Sequence, residues 1–454
     1  MARWLFQRWT RKETRRMLGT FRYALSGGPM AVWSLMLLRQ LRRTERFDRQ
    51  AIRWLQAAKL GRLLRTATER VPHWRELASR RKLPFGGSPA REILANWPIL
   101  TKATLCERPM QFLSPGYPAW ALQWRSTGGS TGKPLRFARS LSNSALVTAA
   151  LLRGWLWRGV RPADRGVRMK GYSRTSITGH VRMWIGNWRT VDFRDGSADR
   201  SREIIRQFRP KFLAGYPTEL LRLLDGLGTQ VPPVPVVFST GEVLYPDQRE
   251  RLQQAFGAVV SDHYGCTEVG SLAFECERGV KHLTEEHVIV ETVDADGQPV
   301  CGKPGRLLLT DLDNFAMPLI RYEVGDMGVI NPAPCPCGRS LLTLGPLEGR
   351  MEDRLEGRNG RSLPACFLAR RFQEMRSIKA YQLEQTSWDS VTLRFVPSGQ
   401  AGVENELNAI RAEILSQLGK EVVILARECE SIPRTAFGKT RLVVGMNLGR
   451  GAGG

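Results

Sequence analysis

Apolar positions recur at helical spacing through the first part of the chain, with Trp33, Leu37 and Leu41 followed by Ile52, Leu55, Leu60, Leu63 and Leu64. That period predicts helices over most of residues 30–80. The next segment, 83–118, is punctuated by Pro84, Pro89, Pro98, Pro109, Pro115 and Pro118, and reads as connector rather than core. From about residue 119, short strand-like runs alternate with helical ones: FLAGYP at 212–217 after an amphipathic helix, VPVVFSTGE at 234–242, then VVSDHYGCTE at 259–268. Strand, helix, strand with polar residues at the strand ends is the α/β pattern, and such sheets bind ligands at the carboxyl ends of their strands. HVIVETV (287–293), GRLLLTDL (305–312) and IRYEVGDMGVI (320–330) continue as β-rich pieces. A last unit begins near Arg350, with strand-like runs at Val391–Val396 and Val422–Ala426 around a helix over Glu404–Leu418. The pattern therefore gives an α/β body followed by a small α+β unit that begins near Arg350.

Composition narrows the class. The chain has 454 residues, 68 Lys+Arg against 43 Asp+Glu, and a formal net charge of +25. The 42% hydrophobic and 24% charged residues exclude disordered and fibrous classes. The longest strongly apolar run, Pro29 to Leu38, is about half of a bilayer span. The N-terminus shows no secretory leader, and eight cysteines are too sparse for a disulfide scaffold, so a reducing, cytoplasmic setting is expected. Residues 1–50 hold 12 Lys/Arg and 3 acids, interleaved with Trp4, Leu5, Phe6, Trp9, Trp33 and Leu35 to Leu38. This basic arm, residues 1–80, reads as helices packed on the body with solvated arginines. The same pattern also suits peripheral contact with an anionic membrane at its inner face. Nucleic acid is not an expected partner, since no recognition signature accompanies the charge.

The sharpest local feature is Thr127-Gly128-Gly129-Ser130-Thr131-Gly132-Lys133-Pro134. Successive Gly, Ser and Thr present backbone N–H groups and hydroxyls, and Lys133 adds a cation, a combination that can wrap a triphosphate. It is not a P-loop: three residues rather than four separate Gly128 from Gly132-Lys133, and Pro134 stands where a Mg²⁺-binding hydroxyl belongs. The run LRFARS after it looks like a strand. Further motifs follow in order: Ser239-Thr240-Gly241-Glu242, Tyr264-Gly265-Cys266-Thr267-Glu268, Thr310-Asp311 through Arg321 to Asp326, Gly349-Arg350-Met351-Glu352-Asp353, and Pro433-Arg434-Thr435-Ala436-Phe437-Gly438-Lys439.

This ordered set resembles the acyl-adenylate-forming superfamily of ligases, over roughly residues 85–445. Within it the chain looks most like the branch of phenylacetate–CoA ligases and related capsule-biosynthesis and coenzyme F390 synthetase-like proteins. The resemblance implies the acyl-adenylate-forming ligase fold, with a large multi-subdomain α/β body over residues 1–350 and a small mobile α+β domain over 353–454, ATP-dependent activation of an organic carboxylate to an acyl-AMP, and transfer to coenzyme A. Adenylation with a different acceptor, an amine or hydroxyl of a sugar, cofactor or carrier, stays open, as does a catalytically silent membrane-associated homologue.

The roles implied by the resemblance are specific. Thr127 to Lys133 would hold the leaving phosphates, Tyr264 with Gly265 would offer a flat face for adenine, and Thr267 would hydrogen-bond the α-phosphate. Glu268 would ligate Mg²⁺, a hard ion that takes oxygen ligands. Asp326 would accept from the ribose hydroxyls with Arg350 close by, while Gly241 and Glu242 line the nucleotide pocket. Lys439 would bridge the carboxylate and α-phosphate until the small domain swings about a hinge at 352–353. Gly128, where the commonest loop has Ser, and Glu352, where the hinge has Asp, depart from the family pattern. The acid pocket is expected between Tyr172–Trp188 and the 239–268 strands, with Trp184, Trp188, Tyr216 and Phe238 as candidate walls.

Cys335 and Cys337 straddle one proline. Two thiolates do not close a structural zinc site. Cys276 and His282 are the nearest upstream partners, with His287 as competitor, and free buried thiols are the other reading. The resemblance favours a structural Zn²⁺ held by Cys276, His282, Cys335 and Cys337.

Overall fold

The computed structural model describes residues 11–84, 89–127, 135–170, 177–192, 198–224, 232–350, 354–358, 361–364, 368, 375–433 and 442–446. The basic arm is three helices, α1 (Arg11–Thr44), α2 (Arg49–Arg70) and α3 (Pro72–Arg80). α1 bends at Gly28, whose φ of 58° precedes the helix-breaking Pro29. Asp48 caps α2, its Oδ1 accepting from the Ala51 N–H at 2.7 Å. Ion pairs fasten the arm to the body: Arg49 with Glu285 and Lys59 with Asp313 at 2.9 Å. Thr44 donates to the buried Glu286 at 2.9 Å.

The proline-rich segment is not a mere connector. It forms two short helices, α4 (Ala90–Ala95) and α5 (Lys102–Glu107), and sends Ile93, Leu94, Trp97, Leu105 and Phe112 into the largest core cluster. The prolines end helices here without excluding side chains from the core. A ladder of β1 (Leu122–Ser126) and β2 (Arg136–Ser140) flanks the glycine loop and leads into α6 (Leu141–Trp157).

The body then builds one sheet. Its parallel part comprises β3 (Gly166–Lys170), β4 (Trp188–Asp192), β5 (Phe212–Gly215), β6 (Val236–Thr240) and β7 (Val259–Cys266), connected through α7 (Ile177–Ile185), α8 (Ala198–Phe208), α9 (Pro217–Arg222) and α10 (Pro246–Phe256). Antiparallel strands extend it: β8 (Gly270–Glu275), β9 (Lys281–Leu283), β10 (Val288–Val293), β11 (Gly305–Asp311), β12 (Tyr322–Asn331) and β13 (Thr343–Arg350). The eleven strands lie in the order β10-β11-β12-β13-β9-β8-β7-β6-β5-β3-β4.

Strand alternation sorts the parallel part into two faces. Val167, Met169, Leu213, Val237 and Val260 pack with Ile205, Leu220 and Leu252 of α8, α9 and α10. Phe212, Phe238 and Trp155 pack with Leu38 and Leu41 of α1 on the opposite face.

The C-terminal unit has its own core. β14 (Arg354–Glu356) and β15 (Ser362–Pro364) form a ladder, and β16 (Ile378–Ser387), β17 (Ser390–Pro397), β18 (Val423–Glu428) and β19 (Val443–Val444) form a sheet covered by α11 (Val403–Leu418). Leu383, Leu393, Leu407, Ile410 and Ile414 fill the space between sheet and helix.

Candidate active site

The parallel register aligns the strand ends: Gly215 lies beside Ser239, and Thr240 beside His263. The STGE and YGCTE motifs therefore leave the sheet next to one another. Ser239 donates to Asp262 at 3.0 Å, tying β6 to β7. Glu242 accepts from the Thr218 hydroxyl at 2.7 Å and its N–H at 3.3 Å, which holds the turn against the start of α9.

Tyr264 is buried, and its hydroxyl donates to Asp326 Oδ2 at 2.7 Å, so the proposed adenine and ribose residues meet across the sheet. Asp326 is the register partner of Arg350, whose side chain lies outside the described residues. Thr267 is exposed on the turn, whereas Glu268 is buried and accepts from the Tyr322 hydroxyl at 2.9 Å. Burial and the neighbouring Glu268 carboxylate raise the Tyr322 pKa, which keeps the phenol a donor.

Arg139, just beyond the glycine loop, donates to the Thr267 carbonyl at 2.5 Å and the Glu268 carbonyl at 3.3 Å. It fixes the YGCTE turn against β2, and burial lowers its pKa. Nothing in the run LRFARS distinguished this arginine from its neighbours. Thr127 closes the base of the loop: its N–H donates to the Leu135 carbonyl at 2.9 Å and its hydroxyl oxygen accepts from the Leu135 N–H at 3.1 Å. Gly128, Gly129, Ser130, Thr131, Gly132, Lys133 and Lys439 lie outside the described residues, as does the hinge at 352–353.

The Thr310-to-Asp326 motif divides into a frame and a working end. Asp311 is fully buried, accepts from Asn143 Nδ2 at 3.0 Å and from the Asp313 and Asn314 N–H groups, and its pKa is raised by burial. Burial alone would lower the pKa of His287, but Asp311 and hydrogen-bonded Asp313 outweigh it and raise it. Arg321 sits at φ 49°, donates to the Trp97 carbonyl at 2.7 Å and pairs with Glu291 at 3.3 Å. These residues hold the loop, while Tyr322 and Asp326 reach the site.

Among the candidate pocket aromatics, Trp188 and Phe238 belong to the core face beneath α6. Trp184 does not: it is 65% exposed on α7.

The pairing of β9 with β13 brings the distant cysteines together. One ligand atom from each of Cys276, His282, Cys335 and Cys337 lies within 4.8 Å of the others. The Cys276 and Cys335 sulfurs are 3.9 Å apart, and Cys337 Sγ is 3.2 Å from His282 Nε2. His282 Nδ1 lies 3.1 Å from the Leu341 carbonyl, which turns Nε2 toward the sulfurs. Sulfur separations near 3.8 Å are what about 2.3 Å Zn–S bonds in a tetrahedron require. His287, the competing ligand, is instead 3.3 Å from Asp313.

Residues 127–312 match the AMP-binding enzyme family and residues 355–446 the CapK C-terminal domain. The phenylacetate-coenzyme A ligase of Thermus thermophilus is 27% identical over 326 residues, covering 68% of this chain and 73% of the relative. The Escherichia coli enzyme of the same name is 25% identical over 423 residues, with 84% and 92% covered. Among solved structures, 2-hydroxyisobutyryl-CoA ligase in the postadenylation state with 2-HIB-AMP superposes with a TM-score of 0.74 at 20% identity, covering 89% of this chain and 92% of that one. The same ligase in the thioesterification state, with 2-HIB-AMP and CoA, gives 0.61. Fold, motif order and both domain matches agree: the chain carries an AMP-binding enzyme domain over residues 127–312 and a CapK C-terminal domain over residues 355–446, and it resembles the phenylacetate-coenzyme A ligases.

Proposed function

We propose that this enzyme uses ATP to convert an organic carboxylic acid to its acyl-adenylate and then passes the acyl group to coenzyme A. The observation that carries the reading is the joining of Tyr264 to Asp326 beside the Thr267–Glu268 turn. A nucleoside would rest against Tyr264 with its ribose hydroxyls on Asp326, placing the α-phosphate at Thr267. Charge builds on oxygen as the carboxylate attacks and pyrophosphate leaves, so donors and cations must stand ready there. Glu268, set by Tyr322 and Arg139, would hold Mg²⁺, which supplies neutralising charge to the phosphates. The loop 127–133 would enclose the leaving pyrophosphate, with Arg350 and the Gly241–Glu242 turn completing the nucleotide pocket.

Lys439 would bridge carboxylate and α-phosphate during adenylation and then withdraw. The body at 1–350 and the cap at 353–454 would turn about 352–353 to run both half-reactions. Cys276, His282, Cys335 and Cys337 would bind one structural zinc, with no open position for water. The exposed Leu18, Phe21, Leu25, Trp33 and Met36 on the arginine-rich α1 support peripheral attachment to an anionic cytoplasmic membrane face. No described helix is long and apolar enough to cross a membrane.

A second reading concerns the acceptor. The small domain matches the CapK C-terminal domain, and the resemblance to capsule-biosynthesis proteins keeps open a sugar or carrier amine or hydroxyl in place of coenzyme A.

The deciding experiment is pyrophosphate release from ATP and Mg²⁺ over aryl and aliphatic acids, with and without coenzyme A. Release that needs both acid and coenzyme A is expected, and acid-dependent release indifferent to coenzyme A would move the assignment to the second reading. Lys439→Ala should abolish adenylation and spare transfer from supplied acyl-AMP; equal loss of both contradicts its role. Metal analysis should give about one zinc per chain, lost with Cys335→Ser, and a stable metal-free protein removes that site. Vesicles containing phosphatidylglycerol should sediment the protein where neutral ones do not; equal recovery from both ends the membrane reading.

A further inference from the structure

The sheet face opposite Tyr264 carries polar groups that the nucleotide does not use. Arg168 stands in the middle of β3 with its guanidinium 3.8 Å over the Trp188 ring and 5.4 Å from Trp155. The two indoles are 5.0 Å apart. Arg168 makes no hydrogen bond or ion pair with any described residue. The side chain is half-buried, and desolvation lowers its pKa to about 10. Cation–π contact offsets part of the cost of such a site but supplies no counter-anion.

Two further donors share these surroundings. Tyr23 of α1 packs against the same core cluster and feels the Arg168 charge, and burial pushes its pKa up to about 12, so its hydroxyl keeps its proton. That hydroxyl has no partner among the described residues. His263 of β7 lies on the same face, because the register runs Arg168, Ala214, Phe238, Ser261 across β3, β5, β6 and β7, and His263 is two residues beyond Ser261. Its ring stacks on Phe274 at 4.2 Å, and Nε2 is buried without a partner. Burial lowers its pKa to about 4, with Arg168 adding to the effect, so it is a neutral imidazole near pH 7. The neighbouring carboxylate, Asp262, is engaged by Lys281 at 2.6 Å and by Ser239. Donors are in excess, and the net charge of the set is that of one guanidinium.

This face leads to the reaction centre. A Cβ on Gly265 would stand 3.3 Å from His263 Nε2, and Thr267 and Glu268 follow directly.

We propose that the acid lies along this face and that Arg168, with Tyr23 and His263 beside it, binds a second carboxylate, so that the substrate is a dicarboxylic acid activated at one end. The proposal rests on the ligase reading and adds the substrate class. A guanidinium is suited to a carboxylate through paired N–H donors.

The test uses two matched pairs, phenylacetate with 4-carboxyphenylacetate and hexanoate with hexanedioate, in pyrophosphate release by the full chain. In at least one pair kcat/KM should favour the diacid by about tenfold or more, as a charge-assisted hydrogen bond provides. Arg168→Gln should collapse that ratio, and Arg168→Lys should restore part of it. Thermal stabilisation by the diacid alone, without ATP, should appear in the wild type and vanish in Arg168→Gln. An ATP-induced shift retained by the variant shows that it is folded. Preference for the monoacid in both pairs, with Arg168→Gln lowering all four acids by one factor, overturns the proposal and leaves the ligase reading standing. Stabilisation by diacid without pyrophosphate release from any acid supports the anion site while removing the ligase reading. Neither stabilisation nor release overturns both.

Discussion

The two faces of β7 differ in how their polar groups are satisfied. On one, Tyr264 is bonded to Asp326 at 2.7 Å, and beyond the strand end Glu268 is bonded to Tyr322 at 2.9 Å. Each functional group there is aimed by a second side chain. On the other, among the described residues, His263 Nε2 is buried without a partner and Arg168 meets only indole rings. The difference separates two tasks. Phosphate and ribose chemistry is the same whatever acid is used, so donors can be set in advance. An acid-binding face completes its hydrogen bonds only with its own ligand, and until then it holds unmet donors.

The largest break in that comparison comes from the end of the satisfied face. Glu268→Gln removes the anionic ligand while keeping the contact to Tyr322, and adenylation should fall by about 10²-fold or more. Stopped-flow measurement of acyl-AMP formation reads it directly, and a loss confined to the coenzyme A step would count against the assignment. A smaller effect is expected from Tyr264→Phe, which deletes one hydrogen bond to Asp326 and should raise KM for ATP about tenfold. If KM for the acid rises instead, the two faces have been assigned the wrong way round.

The smallest and most selective break is His263→Leu. It should shift KM for the acid more than KM for ATP, and it should also change acid stability. The pKa of His263 is depressed from 6.5 to about 4 in the folded chain, so between those values the unfolded state binds the extra proton. Its contribution to stability is complete above pH 6.5 and is lost as pH falls toward 4. Melting temperature should therefore drop over that interval in the wild type and less steeply in His263→Leu. Identical pH profiles would show that the ring is not held neutral by the fold.

Legibility in the sequence followed the same division. β5, β6 and β7 of the parallel sheet were readable because they are buried runs ended by Gly, Thr and acidic residues, whereas β3 and β4 were not read; the C-terminal helix was readable because Leu407, Ile410, Ile414 and Leu418 keep its period. β16 was missed, since buried Gln382 and Gln385 interrupt its apolar pattern. The proline-rich segment misled because proline reports where a helix can end and carries no information about which side chains are buried. Arg139 and Arg168 gave no signal: in a chain with 68 Lys+Arg, one more arginine in a strand is unremarked until its neighbours are known.

By itself, then, the sequence determined the order of motifs, the α/β and α+β partition and the candidate residues for a nucleotide, because these depend on local spacing and on side-chain chemistry. Only the tertiary structure decided which of two histidines joins the cysteines, that Asp311 and Arg321 frame the loop, and that Tyr23, Arg168 and His263 share one face. Those outcomes depend on strand pairing and helix docking between residues far apart in the chain, where burial and partner geometry, rather than residue type, set what each group can do.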